Sequence, residues 1–130
     1  MCDLSQGVIF PIGEPVNNSN FKGTVYLNRL TTLQPASNVT FTPGCRNSWH
    51  QHPGGQILLV TGGRGWYQSW QGEARELHAG DVVEIPPNVK HWHGAAKDSW
   101  FSHIAITVQP EKGGADWLEP VADEVYDALP

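Results

Sequence analysis

Six histidines occur in the 130-residue chain, and five of them fall in a pattern that could bind a metal ion. His50 and His52 are separated by one residue, as are His91 and His93. On a β-strand this spacing puts both imidazoles of a pair on the same face, because side chains alternate. Imidazole is the commonest protein ligand for a divalent transition metal, and a three-histidine site leaves positions open for water or substrate. The pattern therefore predicts a catalytic metal centre.

The histidine pairs need strands to hold them, and the sequence around them is typical of a β domain. Glycine and proline are frequent, with 14 and 10 residues, and they separate short apolar or alternating segments. Such spacing is typical of a β-sandwich or barrel. One predicted strand ends at Gly62 and Gly63, and the last begins with His103. The predicted strands are 24–27, 39–41, 56–61, 65–70, 81–85 and 103–108.

The two ends of the chain differ from this central part. We therefore divide the chain into an N-terminal arm (1–23), a β-barrel (24–110) and an acidic C-terminal tail (111–130). The tail holds six of the 13 acidic residues and one of the 8 basic ones, which accounts for the net charge of −5. Apolar residues recur there every four positions, which predicts a short helix from about Glu119 that packs on the barrel or on a neighbouring subunit. These residues are Trp117, Val121, Val125 and Leu129.

Composition and charge exclude several classes of function. The net charge of −5 argues against a nucleic-acid partner. No apolar stretch is long enough to span a membrane, and Met1 is not followed by the basic and apolar regions of a signal peptide. Cys2 and Cys45 do not make a disulfide framework. We expect a cytoplasmic protein with a small-molecule substrate, and the apolar tail with its tryptophans predicts a homodimer or homotetramer.

The histidines and the glycines around them resemble the two sequence motifs of the cupin superfamily. The matching residues are Gly44, His50, His52, Gln56 and Gly63 in the first motif and Gly80, Pro86, Asn88 and His91 in the second. The resemblance implies a small single-domain cupin, which is an all-β jelly-roll β-barrel with one metal ion in its mouth. It makes His50, His52, Gln56 and His91 the metal ligands. Gln56 stands where the family usually has glutamate, and Ala95 stands where the second motif ends in asparagine.

A narrower group of cupins is also similar to this chain. Segments 39–56, 90–95 and 116–121 resemble small bacterial cupins associated with carboxymuconolactone decarboxylase-type proteins, some of which are manganese-dependent hydroxynitrile lyases. This resemblance implies that His93 and His103 lie beside the metal as catalytic residues. It favours manganese, while Fe, Ni, Co or Zn would also suit such ligands. Thr107 stands where those lyases have glutamine, and Ser37 where a smaller residue is expected.

These residues lead to one main hypothesis and several alternatives. The main one is a metal-dependent lyase of the hydroxynitrile lyase type, in which the metal stabilises a developing anion and His93 or His103 moves the proton. The neutral amide of Gln56 would leave the full metal charge available for that step. The alternatives are a dioxygenase, a decarboxylase, an isomerase and a non-catalytic cupin that binds a small ligand. For Arg46, two roles stay open, an inward substrate-binding cation and a salt bridge at the barrel mouth.

Overall fold

Antiparallel strands make up nearly all of the regular structure. The computed structural model describes residue 4 and residues 8–130; residues 1–3 and 5–7 of the predicted arm lie outside this part. The described residues form twelve strands and one α-helix, α1 (Asp123–Asp127). The expected all-β fold with a short C-terminal helix is confirmed. Within these described residues, no helix has the length and apolar character needed to cross a membrane.

One half of the barrel is a six-stranded sheet. Its strands pair in the order β1-β3-β4-β11-β7-β9, always antiparallel. At the centre of this half, β4 pairs with β11, although the two strands are far apart in the sequence. The strands, numbered in chain order through the whole molecule, are β1 (Glu14–Val16), β3 (Val25–Arg29), β4 (Ala36–Phe41), β7 (Gln56–Ser69), β9 (Val82–Ile85) and β11 (Phe101–Thr107).

The other half is built around the strand that carries the second histidine pair. Strand β10 pairs with β7, β5 and β6, and it therefore lies at the centre of this sheet. The predicted arm and tail both contribute to this half, through β2 and β12. Its further strands are β2 (Phe21–Lys22), β5 (Arg46–Asn47), β6 (His50–Gln51), β8 (Arg75–His78), β10 (His91–Ala95) and β12 (Asp116–Trp117).

The long strand β7 belongs to both halves and joins them. Its first part pairs with β11 and β9, and its second part with β10 and β8. The predicted strand end at Gly62 and Gly63 is wrong, because the strand continues through both glycines. Gly63 has a φ of +76°, and a Cβ there would lie 1.8 Å from the carbonyl oxygen of Trp100. The glycine thus lets β7 bend close to its own bulge at Thr61, the extra residue between Val60 and Gly62, which pair with His103 and Ser102 of β11.

Side-chain alternation fills the barrel interior with apolar residues. On β7, Leu58 and Val60 are buried, whereas Leu59 between them is 36% exposed. Inward residues of both halves combine into one apolar core. Its largest fully buried members are Phe41, Leu58, Leu77 and Phe101.

The C-terminal tail packs against the outside of the second half. Val121 and Tyr126 are buried there, as part of a cluster built mainly from tryptophans. Helix α1 begins at Asp123, later than the predicted start near Glu119, because the tail first runs alongside β6 as strand β12. Trp117 therefore lies on a strand and not on the predicted helical stripe. The other members of the cluster are Trp49, Trp66, Trp92 and Ala96.

Candidate metal centre

A cavity of about 180 Å³ lies inside the barrel, next to the apolar core. Strands of both halves supply its walls, and polar and apolar side chains line it. Ser37 and Thr107, the two positions that depart from the lyase pattern, are among its lining residues. The apolar lining residues are Phe21, Leu27, Val39, Phe41, Ala105 and Trp117. The main polar ones are Asn47, His50, His52, Gln56, His93 and His103.

The strands bring the predicted site residues together from four separate segments. His50 lies on β6 directly opposite His91 on β10, and the two imidazole centroids are 4.2 Å apart. His93 follows on β10 with the same facing, as the spacing of two predicts. Gln56 begins β7, and His103 on β11 approaches from the other half of the barrel. All of them are buried.

Hydrogen bonds to the backbone fix the tautomers of two histidines. Nδ1 of His50 lies 2.8 Å from the Ser48 carbonyl oxygen, and Nδ1 of His91 lies 2.8 Å from that of Val89. A carbonyl oxygen only accepts, so each Nδ1 donates its proton there. In the neutral rings Nε2 then carries a lone pair. Such an arrangement is typical of metal-binding histidines, whose second nitrogen is held by a backbone or carboxylate oxygen.

Several acceptor atoms converge in the cavity without a donor between them. Nε2 of His91 lies 3.3 Å from Oε1 of Gln56, and the tautomer of His91 leaves neither atom a proton to donate. Among the described residues, neither ring nitrogen of the buried His52 has a hydrogen-bond partner. Buried polar atoms of this kind are costly unless something satisfies them. A divalent cation would satisfy Nε2 of His91, Oε1 of Gln56 and the unprotonated nitrogen of His52, so the residues present fit a metal ion.

The tightest cluster of potential ligand atoms contains His50, His91 and His93. One nitrogen from each lies within 4.8 Å of the other two. This cluster shares His50 and His91 with the predicted ligand set. The two sets differ in the third imidazole, which is His93 in the cluster and His52 in the prediction. The ring of His52 is 5.1 Å from that of His50 and 5.6 Å from that of His91, between centroids.

Burial lowers the pKa of every histidine at the cavity, because removal from water disfavours the charged imidazolium. The pKa of His91 falls to about 4 and that of His103 to about 3. The pKa values of His50 and His93 lie well below 6.5, and that of His52 is also lowered. All five rings are therefore neutral at neutral pH, which is the form that binds metal ions.

His93 and His103 form a hydrogen-bonded pair deep in the cavity. Nε2 of His103 lies 3.2 Å from Nδ1 of His93, and Nδ1 of His103 is buried with no partner in the part of the chain that the structure describes. Asn47 also contacts His93. Its Oδ1 accepts the His93 backbone N–H at 2.9 Å, and its Nδ2 lies 3.3 Å from Nδ1 and 3.2 Å from Nε2 of the imidazole. Our sequence analysis missed Asn47, although it precedes the first histidine pair by only three residues. The two rings are thus joined by one hydrogen bond, whose proton lies between Nε2 of His103 and Nδ1 of His93.

Arg46 points away from the cavity and forms an ion pair with the tail. Its guanidinium donates to the Val121 carbonyl oxygen at 3.0 Å and to Oδ1 of Asp123 at 2.6 Å. Of the two roles left open, the salt bridge is the one observed. Alternation counted back from His50 would direct the Arg46 side chain inward. The alternation does not apply here, because β5 ends at Asn47 and the chain is irregular before β6 begins at His50. A groove of about 460 Å³ beside Arg46 holds none of the predicted site residues.

Residues 37–106 match the family Cupin_2, described as a cupin domain. This match spans the strands that carry all the predicted site residues. The chain belongs to the cupin family. The expected resemblance to small single-domain cupins is thereby confirmed.

Among known proteins, this cupin is similar to an (R)-mandelonitrile lyase from Granulicella tundricola. The two are 45% identical over 111 residues, which cover 82% of this chain and 85% of the relative. A cupin-like protein from Thermotoga maritima has a similar structure, with a TM-score of 0.89 and 47% identity over 92% of this chain and 95% of the other. A predicted oxalate decarboxylase from the same organism shares the fold, with a TM-score of 0.65 and 21% identity over 73% and 91% of the two chains.

Proposed function

We propose that this cupin is a metal-dependent lyase that cleaves cyanohydrins or closely related hydroxylated metabolites. The observation that carries the proposal is the small cavity in which buried, neutral histidines face apolar walls. Such a cavity suits an uncharged substrate with one ionisable hydroxyl and one apolar group. The 45% identity with a protein named as an (R)-mandelonitrile lyase supports the same class of reaction.

The metal would be held by His50, His52, Gln56 and His91, as the family resemblance implies, and His93 would lie beside it. When bound, a divalent metal, with manganese favoured, supplies a Lewis acid that stabilises negative charge on the substrate oxygen. The backbone bonds of His50 and His91 keep their lone pairs directed into the cavity. Gln56 adds an oxygen ligand without adding charge, so the full positive charge of the metal remains available.

His93 and His103 would move the proton. Because both rings are neutral, the pair can accept the substrate hydroxyl proton on a ring nitrogen. The carbon–cyanide bond then breaks with its electron pair on cyanide, and the carbonyl double bond forms from the oxygen lone pair. The stored proton passes to cyanide, which leaves as hydrogen cyanide beside the aldehyde. The pair is thus returned to its starting state.

The test is the cleavage of mandelonitrile by manganese-loaded protein, followed as benzaldehyde absorbance, with metal-free protein as the blank. His93→Ala and His103→Ala should each lower the rate by about 10²-fold or more, the usual loss for a general acid or base. Their metal content should stay near that of the wild type. His78→Ala is the matched control, because its side chain is 58% exposed on β8. No cleavage above the blank by wild-type protein would refute the lyase assignment.

Two further expectations stay predictions. A cytoplasmic location is one. Assembly into a homodimer or homotetramer is the other, and the paired outer residues Leu59 and Val82, 36% and 51% exposed, are apolar surface that a second copy could cover. A monomer mass in light scattering at micromolar concentration would contradict the second.

A further inference from the structure

The tail places one aromatic side chain at the cavity. Strand β12 pairs with β6 so that Trp117 lies opposite His50. The indole packs on the imidazole of His50, with ring centroids 4.6 Å apart and an interplanar angle of 33°. It also meets Phe21 edge to face at 5.6 Å. Trp117 thus covers a predicted metal ligand and lines the cavity at the same time.

Exposure shows where Trp117 lies in the cavity. Trp117 is 37% exposed and Leu27 is 38% exposed, although both line the cavity. His93, His103 and Phe41, which line it too, are at most 4% exposed. Trp117 and Leu27 therefore belong to the solvent-exposed side of the cavity, whereas His93 and His103 lie at its buried side. A ligand with its oxygen at the histidines would point its apolar group toward Trp117.

The tail is anchored strongly enough for Trp117 to act as a fixed wall. On the C-terminal side of Trp117, Leu118 and Glu119 exchange backbone hydrogen bonds with Trp49, at 2.8 and 3.0 Å. The Glu119 carboxylate also pairs with Lys90 at 2.8 Å. Further along, Asp123 accepts from Arg46, whose side chain is only 5% exposed. These contacts fix the course of the tail directly after Trp117, and the contacts with His50 and Phe21 position the indole itself.

The size of the cavity limits the apolar group. An apolar protein cavity of roughly 150 Å³ binds one benzene molecule, and the volume here is about 180 Å³. One aromatic ring with a short polar substituent therefore fits, and a fused pair of rings does not. We propose that Trp117 is the specificity-determining residue of the cavity: with Phe21 it packs against a single aromatic ring of the substrate and excludes larger groups. The inference rests on the proposed function, since it concerns the same site.

Binding of two alcohols to the manganese-loaded protein tests this directly. Isothermal calorimetry with benzyl alcohol and 2-naphthalenemethanol should show that the wild type prefers the single ring. Trp117→Ala should bind benzyl alcohol about two- to twelvefold more weakly, the range expected for one lost aromatic contact, and its preference should shift toward the larger ring. Trp117→Phe should restore most of the affinity for benzyl alcohol. Leu118→Ala, which changes an exposed neighbour outside the cavity, should behave as the wild type.

The remaining outcomes separate the possible failures. Equal loss of both alcohols in Trp117→Ala and Leu118→Ala would show that the tail has only a structural role. Lower metal content in Trp117→Ala, by elemental analysis, would show that it acts through His50. No binding of either alcohol to the wild type, or unchanged affinities in the variants, would also overturn the inference. If the ring preference shifts as expected while mandelonitrile is not cleaved, the proposed reaction fails and the inference on Trp117 stands.

Discussion

The histidine cluster and the apolar core lie side by side in one barrel, and burial acts on them in opposite ways. Phe41 belongs to the core, and its ring lies 5.6 Å from that of His103 and 5.9 Å from that of His93. In the core, burial of hydrocarbon is favourable and stabilises the fold. In the cluster, burial removes imidazoles from water, lowers their pKa values and leaves nitrogens without partners. The apolar core therefore stabilises the barrel, whereas the buried histidines lower its stability.

The same contrast appears across a single strand. On β10, His91 and His93 share the face that points into the barrel, whereas Trp92 between them is packed in the tryptophan cluster on the outside. That outer cluster joins the tail to the barrel through Val121 and Tyr126. The histidines therefore rest on a strand that is fixed from behind by large apolar side chains. A site with costly polar groups needs such support if its geometry is to be maintained.

Removing two shared ligands should have the largest effect. His50 and His91 belong both to the predicted ligand set and to the tightest nitrogen cluster. The double variant His50→Ala, His91→Ala should bind almost no metal, because too few ligands remain for a stable site. Elemental analysis of the purified protein measures this, with His78→Ala as the control. A double variant with the metal content of the wild type would contradict the ligand assignment.

A substitution in the apolar core should lower stability and leave metal binding unchanged. Leu58→Ala removes a fully buried side chain, and such changes lower the free energy of unfolding by about 2–5 kcal/mol. The metal content of the folded protein should not change. Urea unfolding gives the first quantity and elemental analysis the second. Leu59→Ala, one residue along on the outer face, should cost much less, and an equal cost for both would mean that the alternation on β7 does not decide stability.

Much of the site was predictable from the sequence because the cupin motifs lie on adjacent strands. The spacing of two between histidines fixes their common face, and His91 and His93 show this facing on β10. The motif spacing also brought Gln56 beside His91, as the 3.3 Å contact shows. Local pattern is sufficient here, since alternation is a property of any strand. The all-β architecture was predictable for the same reason.

The parts that were not predictable depend on long-range packing. Gly62 and Gly63 look like a strand end, yet Gly63 provides a bend, which becomes evident only from its contact with Trp100 and from the register shift between β7 and β11. Trp117 fits a helical stripe by spacing, but pairing with β6 makes it part of a strand. In both cases tertiary contacts override the local pattern. Asn47 carries no motif of its own, and its role appears only through its contacts with His93.

A smaller change tests whether charge at the metal matters. Gln56→Glu should keep the metal, since carboxylates also bind divalent ions. It should lower kcat on mandelonitrile at least about tenfold, equivalent to about 1.4 kcal/mol, because an added negative charge weakens stabilisation of a developing anion. Gln51→Glu adds the same charge on β6 outside the cavity lining, and should leave kcat unchanged. Unchanged or higher turnover in Gln56→Glu would refute the charge argument.

The smallest effect concerns Cys45, a buried core residue whose pKa is shifted by burial in the opposite direction to the pKa values of the histidines. Burial raises the pKa of its thiol to about 12, against about 8.5 in an unfolded chain. The folded state therefore holds this proton more tightly. The stabilisation is complete below about pH 8.5 and is lost as the pH rises toward 12. In a Cys2→Ser background, urea midpoints should fall between pH 8 and pH 10, and less so when Cys45→Ala is added. Equal pH dependence with and without Cys45 would show that the thiol is not desolvated in the native barrel.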